Sequence, residues 1–511
     1  MLHTRILRHK PHIPNLCYNP LVKKGTFIVP HPVSQITETL EKQGFEAYIV
    51  GGCVRDTLIG KKPTDWDVTT NATPEQIQSA FVNTYYTNEF GTVGVVLEED
   101  DPTLKVVEVT PYRLEGKYSD ARRPDSVAFS QNLEDDLKRR DFTINAIAYR
   151  GSTGAFVDLY GGEKDLKEGV IRAVGDPHER FSEDALRIVR AIRLSAELGF
   201  SIEEGTKKAM GENVGLLQKI SRERIRDEFA RIISSSKPMK ALLLAHGLGV
   251  LVHISPELER GIGIAQNQAH SYDVFEHNLR TLQHAADKEW SFDIRLASLF
   301  HDISKPETRR WSEEKKDWTF YGHDVVGGRV VKKVLENLRF SKETIDKVTK
   351  LVRWHMFFSD PEKITLSAVR RIITNVGKEN IWDLMNLRVC DRIGTGRPKE
   401  QPFRFRKYQA MVEQALRDPI SVGMLALNGG DIMKLTGEAP SPRIGYILHA
   451  LLEEVLEDPA KNTKDYLERR VGELRRMPET ELAGLGEAGK ERKEEAEEES
   501  VKEIQKKYFV E

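Results

Sequence analysis

Residues 48–70 read YIVGGCVRDTLIGKKPTDWDVTT, and their order of residue types decides how the first third of the chain folds. The apolar, partly β-branched run up to Val50 has the composition of a strand. Gly51 and Gly52 supply a turn, VRDTLIG has helical composition, and Asp65-Trp66-Asp67 begins a second strand. Side chains at i and i+2 of a strand share a face, so Asp65 and Asp67 stand side by side. Two adjacent carboxylates repel unless a cation lies between them, and hard oxygen donors of this kind suit Mg2+ carrying a triphosphate. Backbone N–H groups around Gly51 and Gly52, at the start of the helix, can meet phosphates without a side chain in the way, and Arg55 adds positive charge on the same turn.

Around this stretch the 511 residues allow several cores. Short β-rich runs alternate with helical segments over 26–165 and predict an α/β head within an α+β chain, after which strands give way to helical periodicity. The expected units are a disordered basic extension over 1–25, the head over 26–165 and a helical neck over 166–265. A histidine-rich helical domain over 266–396, a further helical region over 397–476 and a charge-dense tail over 477–511, solvated helix or disorder, follow. Cys17, Cys53 and Cys390 have no paired spacing, which suits a reducing cytosol, so the expected location is cytoplasmic. The longest apolar runs, such as GVLVHI at 249–254, are too short to span a bilayer, and no membrane partner is expected. The formal net charge of -2 advertises no global attraction to nucleic acid, so any such partner must use local patches.

The combination of Gly-Gly, Arg-Asp, the spaced aspartates and the following Thr-Thr resembles the polymerase β superfamily, and within it the class II tRNA nucleotidyltransferase and poly(A) polymerase family. The resemblance continues through YSDARRPDSV at 118–127 and LEDDLKRRDFTINAIAY at 133–149. It implies a polymerase-β-like nucleotidyltransferase head, a third acidic residue from a neighbouring strand, for which Glu108 is the candidate, and Arg140 at the triphosphate. Asp141 and Asn145 take local roles, and 144–147 reads as an apolar helical run.

In EDALRIVRAIR at 183–193, helical spacing sets Asp184, Arg187, Arg190 and Arg193 on one polar ridge. Cytosine and adenine each present an amino donor beside a ring-nitrogen acceptor, whereas uracil and guanine present the reverse. An aspartate accepting and an arginine donating can therefore take C and A and leave U and G mismatched. The resemblance assigns this task to Asp184 and Arg187, with Arg190 and Arg193 supporting base or phosphates and SRERIRDEF at 221–229 bracing the helix. The implied partners are CTP, ATP and the 3′ acceptor end of tRNA. The segment YYTNEFGTVGVV at 85–96 lacks the GRRF-like pattern of poly(A) polymerases, which points to CCA addition. Poly(A) synthesis, or addition of CC or A alone, stays open.

Histidines recur on successive helical segments as His277, His301-Asp302, His323 and His355, with Asp391 beyond. Imidazoles and carboxylates converging from several helices make a nitrogen and oxygen site for a divalent metal able to activate water. The order resembles the HD superfamily of metal-dependent phosphohydrolases, with HDISK where HDIGK is usual. A second divalent metal is thus implied at His277, His301, Asp302 and Asp391, with His323 and His355 as further candidates. A phosphohydrolase or nucleotide-sensing regulator is the competing reading of the whole chain. Finally, GRPKEQPFRFRKYQ at 396–409 mixes basic and aromatic residues that suit a phosphate backbone and stacked bases, or an ordinary surface loop.

Overall fold

The computed structural model describes residues 27–86, 91–115, 127–267, 270–357, 364–417 and 422–510. The basic extension and the YSDARRPDSV segment, Val127 excepted, lie outside them. Cα packing divides the chain into two compact units, 1–352 with 394–396 and 353–393 with 397–511.

The first unit opens with the head sheet. Its strands are β1 (Ala47–Val50), β2 (Trp66–Thr70), β3 (Thr84–Tyr86), β4 (Val93–Val96), β5 (Val106–Pro111), β8 (Ile147–Arg150) and β9 (Ala155–Asp158), in the order β3-β4-β5-β2-β1-β8-β9. A separate pair, β6 (Arg113–Glu115) and β7 (Val127–Phe129), lies between β5 and β8 in the chain. Only β2 and β5 run parallel within the large sheet. The strand β1 is buried along its length, as its Ala-Tyr-Ile-Val composition requires. Gly51 turns the chain with φ 90° and ψ −141°, and the helix Gly52–Leu58 follows at once.

The expected helical run at 144–147 is a 3-10 turn over Thr143–Asn145 leading into β8. Ile144, Ala146 and Ile147 are all fully buried, and three apolar residues in four fit a core strand entry as well as a helix. Strands also recur beyond the head, as the parallel pair β10 (Val170–Ile171) and β11 (Ser201–Ile202) and the hairpin β12 (Arg310–Ser312) and β13 (Asp317–Thr319). Each is three residues or fewer, below what periodicity can register.

The neck is built on the helix Leu186–Leu198, packed against Arg222–Ser234 and Pro238–Gly247. The helices Val274–Asp287 and Phe292–Phe300 pack on each other and precede His323–Asn337.

The second unit is helical. Its largest core gathers Leu425, Leu427, Ile432, Ile447, Leu451, Leu467 and Leu482 among others. The tail forms the helix Glu479–Lys507. It is not merely solvated: Leu482 is fully buried, and Gly486 and Gly489 meet the helix Pro442–Glu457 at Tyr446 and His449. A Cβ on Gly489 would collide with the His449 carbonyl oxygen. In the basic and aromatic segment, the helix Phe403–Leu416 exposes Phe403 but buries Phe405 and Tyr408. Tyr408 stacks on Phe357 at 5.0 Å between centroids, so of these three aromatics only Phe403 faces solvent.

Candidate active site

The parallel pairing of β2 with β5 sets Asp67 directly opposite Glu108. Trp66 turns into the core at 3% exposure, which leaves Asp65 and Asp67 on the other face. Three carboxylates thus collect where β2 begins. Burial, and then the neighbouring Asp65 charge, push the Asp67 carboxyl up to about 7 against the pull of Arg140, with Glu108 adding to the rise. Glu108 is raised for the same two leading reasons, burial and Asp65. Carboxylates that raise one another in this way are a hard-oxygen donor set in need of a cation, and the three residues fit Mg2+. Cys53, next to them, is no nucleophile, because burial and then Asp67 push its thiol up to about 12.

Gly51 behaves as a close-approach residue. A Cβ on Gly51 would lie 3.1 Å from Arg140 Nη1 and 3.3 Å from Asp67 Oδ2, so these two side chains use the space a side chain would fill. Arg140 is aimed by Asp136, a fully buried carboxylate that also receives Arg139. Arg55 Nη1 donates to Asn145 Oδ1 at 2.7 Å, and Asn145 Nδ2 donates to Asp141 Oδ1 at 3.0 Å. Asp141 Oδ2 accepts from Arg190 Nη1 at 3.1 Å. Burial alone would raise Asp141, but Arg190, Asn145, Arg187 and the Phe142 N–H together hold it at about 2. Asp141 and Asn145 are therefore the link between the head's Arg55 and the neck's Arg190.

Arg190, Arg193, Arg55, Asn145, Asp141, Gly52, Asp65 and Asp67 line one cavity of about 480 Å³, with Lys61, Lys62, Glu197 and Arg231 on its remaining wall. Asp184 and Arg187 are not among its lining residues. The expected single ridge is broken at its start. Asp184 ends the short helix Pro177–Glu183 with φ −141° and ψ 100°, outside helical register with Arg187. From there its Oδ1 accepts the Leu186 N–H, and both its oxygens accept from Arg224. Arg187 is buried and donates to Glu183, the Arg180 carbonyl and the Arg139 carbonyl.

The SRERIRDEF helix accordingly grips Asp184 and the neck arginines through two residues. Arg224 pairs with Asp184, and the buried Glu228 receives both Arg190 and Arg193. Sequence reasoning assigned this segment a bracing role without finding Glu228. An acidic residue amid RERIRDEF reads as surface charge until the tertiary partners are seen.

The histidine-rich segment brings together four of its predicted residues within the first unit. His277 Nε2 and His301 Nε2 lie 3.0 Å apart, and both approach Asp302 Oδ2, at 3.1 and 3.2 Å. His323 Nε2 is 3.3 Å from Asp302 Oδ1. All four residues are buried. His301 Nδ1 and His323 Nδ1 lie 2.9 and 2.7 Å from the carbonyls of Ser298 and Phe320, the arrangement that turns Nε2 toward a ligand. His301, Lys305 and His277 draw Asp302 well below the usual carboxylate range despite its burial. Nitrogen and oxygen donors so arranged fit a divalent cation. His355 and Asp391 belong to the second unit, where Asp391 pairs with Arg388 at 2.6 Å.

Three family models match the chain: the poly A polymerase head domain over 47–172, the probable RNA and SrmB-binding site of polymerase A over 199–262, and the HD domain over 274–382. The CCA-adding enzyme of Lactiplantibacillus plantarum is 33% identical over 436 residues, covering 84% of this chain and 93% of its own. The CC-adding tRNA nucleotidyltransferase of Thermus thermophilus is 33% identical over 419 residues, covering 81% and 90%. Among solved structures, the Bacillus stearothermophilus CCA-adding enzyme in complex with CTP superposes with a TM-score of 0.57 at 26% identity, covering 87% of this chain and 98% of that one.

Proposed function

The chain belongs to the CCA-adding family of tRNA nucleotidyltransferases, and from that premise we propose that Asp65, Asp67 and Glu108 form the centre at which CTP and ATP are joined to the 3′ end of tRNA. The observation that carries the reading is the register of β2 and β5, which sets Glu108 opposite Asp67, while Asp67 itself borders the Gly51 turn. In the reaction the terminal ribose hydroxyl gives up its proton to solvent as its oxygen bonds to the α-phosphorus, the bond to the bridging oxygen breaks, and pyrophosphate leaves with that bond's electron pair. Mg2+ bound by the three carboxylates would neutralise the triphosphate and sharpen the attacking hydroxyl. Gly51 and Gly52 let the phosphates approach the backbone, and Arg55 and Arg140 offset their charge.

Asp184 and Arg187 are assigned to reading the base from beyond the cavity lining, which requires Arg187 to exchange its contacts with Glu183 and the Arg180 and Arg139 carbonyls for the nucleotide. Arg224 pins the Asp184 carboxylate, and Arg190 and Arg193, held by Glu228, form the cavity wall behind the nucleotide. No helix among the described residues is long and apolar enough to cross a membrane. Cys53 and Cys390 are both buried, and cysteines without paired spacing suit a reducing cytoplasm. The His277, His301, Asp302 and His323 cluster is read as a separate divalent-metal centre with phosphohydrolase chemistry.

Purified protein offered tRNA transcripts ending before CCA or after CC, and an unrelated RNA, each with labelled CTP or ATP, tests the assignment. Ordered addition of C, C and A is expected. The Thermus relative favours a second reading, in which addition stops after CC. Long A tails on unrelated RNA, or no incorporation, would count against both.

A further inference from the structure

His270 stands outside every motif described above, yet the fold carries it to the metal-type cluster of the first unit. One of its ring nitrogens lies within 4.8 Å of ligand atoms of both His277 and Asp302, and its ring meets that of His277 at 5.3 Å between centroids. Its Nδ1 is 2.7 Å from Asn267 Oδ1. An amide oxygen only accepts, so with the amide so placed Nδ1 carries the proton and Nε2 carries the lone pair. An outer hydrogen bond on one imidazole nitrogen is the usual way a protein orients the other toward a metal.

The described residues on either side of His270 are tied down. The His270 N–H donates to the Asn267 carbonyl at 3.0 Å and the Ser271 N–H to the Thr395 carbonyl at 3.4 Å. Gln266 Nε2 donates to the carbonyls of Tyr272 and Asp273, and Asp273 Oδ2 accepts from the Gly263 N–H. The Arg280 guanidinium covers the Tyr272 ring at 3.9 Å. Gln266 also joins the loop to the centre, because its Oε1 accepts from Lys305 Nζ at 2.7 Å while the same ammonium stands 2.5 Å from Asp302 Oδ2. That oxygen is already directed at positive charge, and Gln266 offers the ammonium a second partner when another cation takes its place.

We propose that His270 is an additional ligand of this centre. With His277 and Asp302 it forms a face that takes a borderline divalent cation such as Co2+, Mn2+ or Ni2+. His270 is half-buried where the other donors are buried, so this face borders solvent. The proposal rests on reading the cluster as a divalent-metal centre, and the test separates the two.

Full-length protein is titrated with Co2+, followed by calorimetry and by visible absorption. His270→Ala is expected to weaken binding at least about tenfold and to change the absorption envelope. Asn267→Ala, which removes only the orienting acceptor, should weaken it less, and the exposed His178→Ala should match the parent. Retained CTP incorporation reports that each variant is folded. Parent-like affinity and spectrum in His270→Ala, with binding abolished in the His301→Ala, Asp302→Ala double variant, would overturn the role of His270. Parent-like binding that survives the double variant would instead overturn the reading of the centre.

Discussion

Replacing Gly51 by alanine strikes the backbone and the chemistry through one atom. At φ 90° and ψ −141° the residue occupies a region that side-chain-bearing residues rarely enter, at a cost of about 1–3 kcal/mol. The new Cβ also meets Arg140 Nη1 at 3.1 Å and Asp67 Oδ2 at 3.3 Å, so each must retreat by a few tenths of an ångström. Magnesium tolerates little departure from its ligand geometry, and a misplacement of 1 Å in an active site costs on the order of a hundredfold, so a loss of about ten- to a hundredfold in kcat is expected. Gly60→Ala is the control. It too has positive φ, 74°, but its Cβ would meet nothing within 4 Å, so it should lower stability by about 1–2 kcal/mol and leave turnover unchanged. Urea unfolding and single-nucleotide CTP addition at saturating substrate measure the two effects. Parent-like kcat in Gly51→Ala, or an equal loss in Gly60→Ala, would refute the claim that Gly51 is selected for the room it leaves to Asp67 and Arg140.

Asp67 titrates at about 7 in the folded metal-free protein and near the ordinary carboxylate value when unfolded, so folding favours its protonated form. Its contribution is therefore most favourable below about pH 4 and is lost progressively up to about pH 7, by roughly 4 kcal/mol. In EDTA the stability difference between parent and Asp67→Asn should open across that window and close on adding Mg2+. A difference that is flat with pH would show that burial and the neighbouring carboxylates do not raise Asp67. Glu228→Gln leaves Arg193 with Glu197 and Arg190 with Asp141, so the loss should be about 2 kcal/mol, below the usual 3–5 for breaking a buried pair, with a fall in kcat/KM for CTP. Unchanged kinetics would separate the neck arginines from the nucleotide. Asp184→Ala should relax discrimination against UTP by about 1–3 kcal/mol in competing incorporation, and unaltered fidelity would remove its templating role. In the tail, Gly489→Ala must push the helix off the His449 carbonyl and should lower the melting temperature. Gly484→Ala, with open space around it, should raise stability by up to about 1 kcal/mol, and two effects of the same sign would contradict the packing.

What could be read in advance divides by the range of the interaction. The Gly-Gly turn, the aspartates at i and i+2 and the strand alternation are local, and the backbone geometry alone puts them together. The pairing of Glu108 with Asp67 needed the strand order, yet a third carboxylate on a β-branched run was visible as a candidate. Asp184 shows where the letters mislead. Counting by threes and fours assumes one continuous helix, but the chain leaves helical geometry at Asp184 and resumes at Leu186, so the spacing to Arg187 has no helical meaning. Tyr408 and Phe405 mislead differently. Aromatic residues beside arginines suit stacked bases and a protein core equally, and only burial decides between them. In the charged tail, two glycines carry the packing that high net polarity conceals.

The network from head to neck gives these residues a common consequence. Arg55 reaches Asn145, Asn145 reaches Asp141, Asp141 reaches Arg190, and Arg190 shares Glu228 with Arg193, which ends on Glu197. Every arginine in this series lines the cavity, and every carboxylate in it holds an arginine. Arg55, Arg190 and Arg193, which line the cavity, are thus each held from behind by an amide or a carboxylate. An arginine so held keeps its charge directed into the cavity but cannot swing to follow the growing 3′ end. If the cavity takes the nucleotide as proposed, successive additions require the RNA end to retreat by a nucleotide, because the cavity wall stays where the neck helices put it.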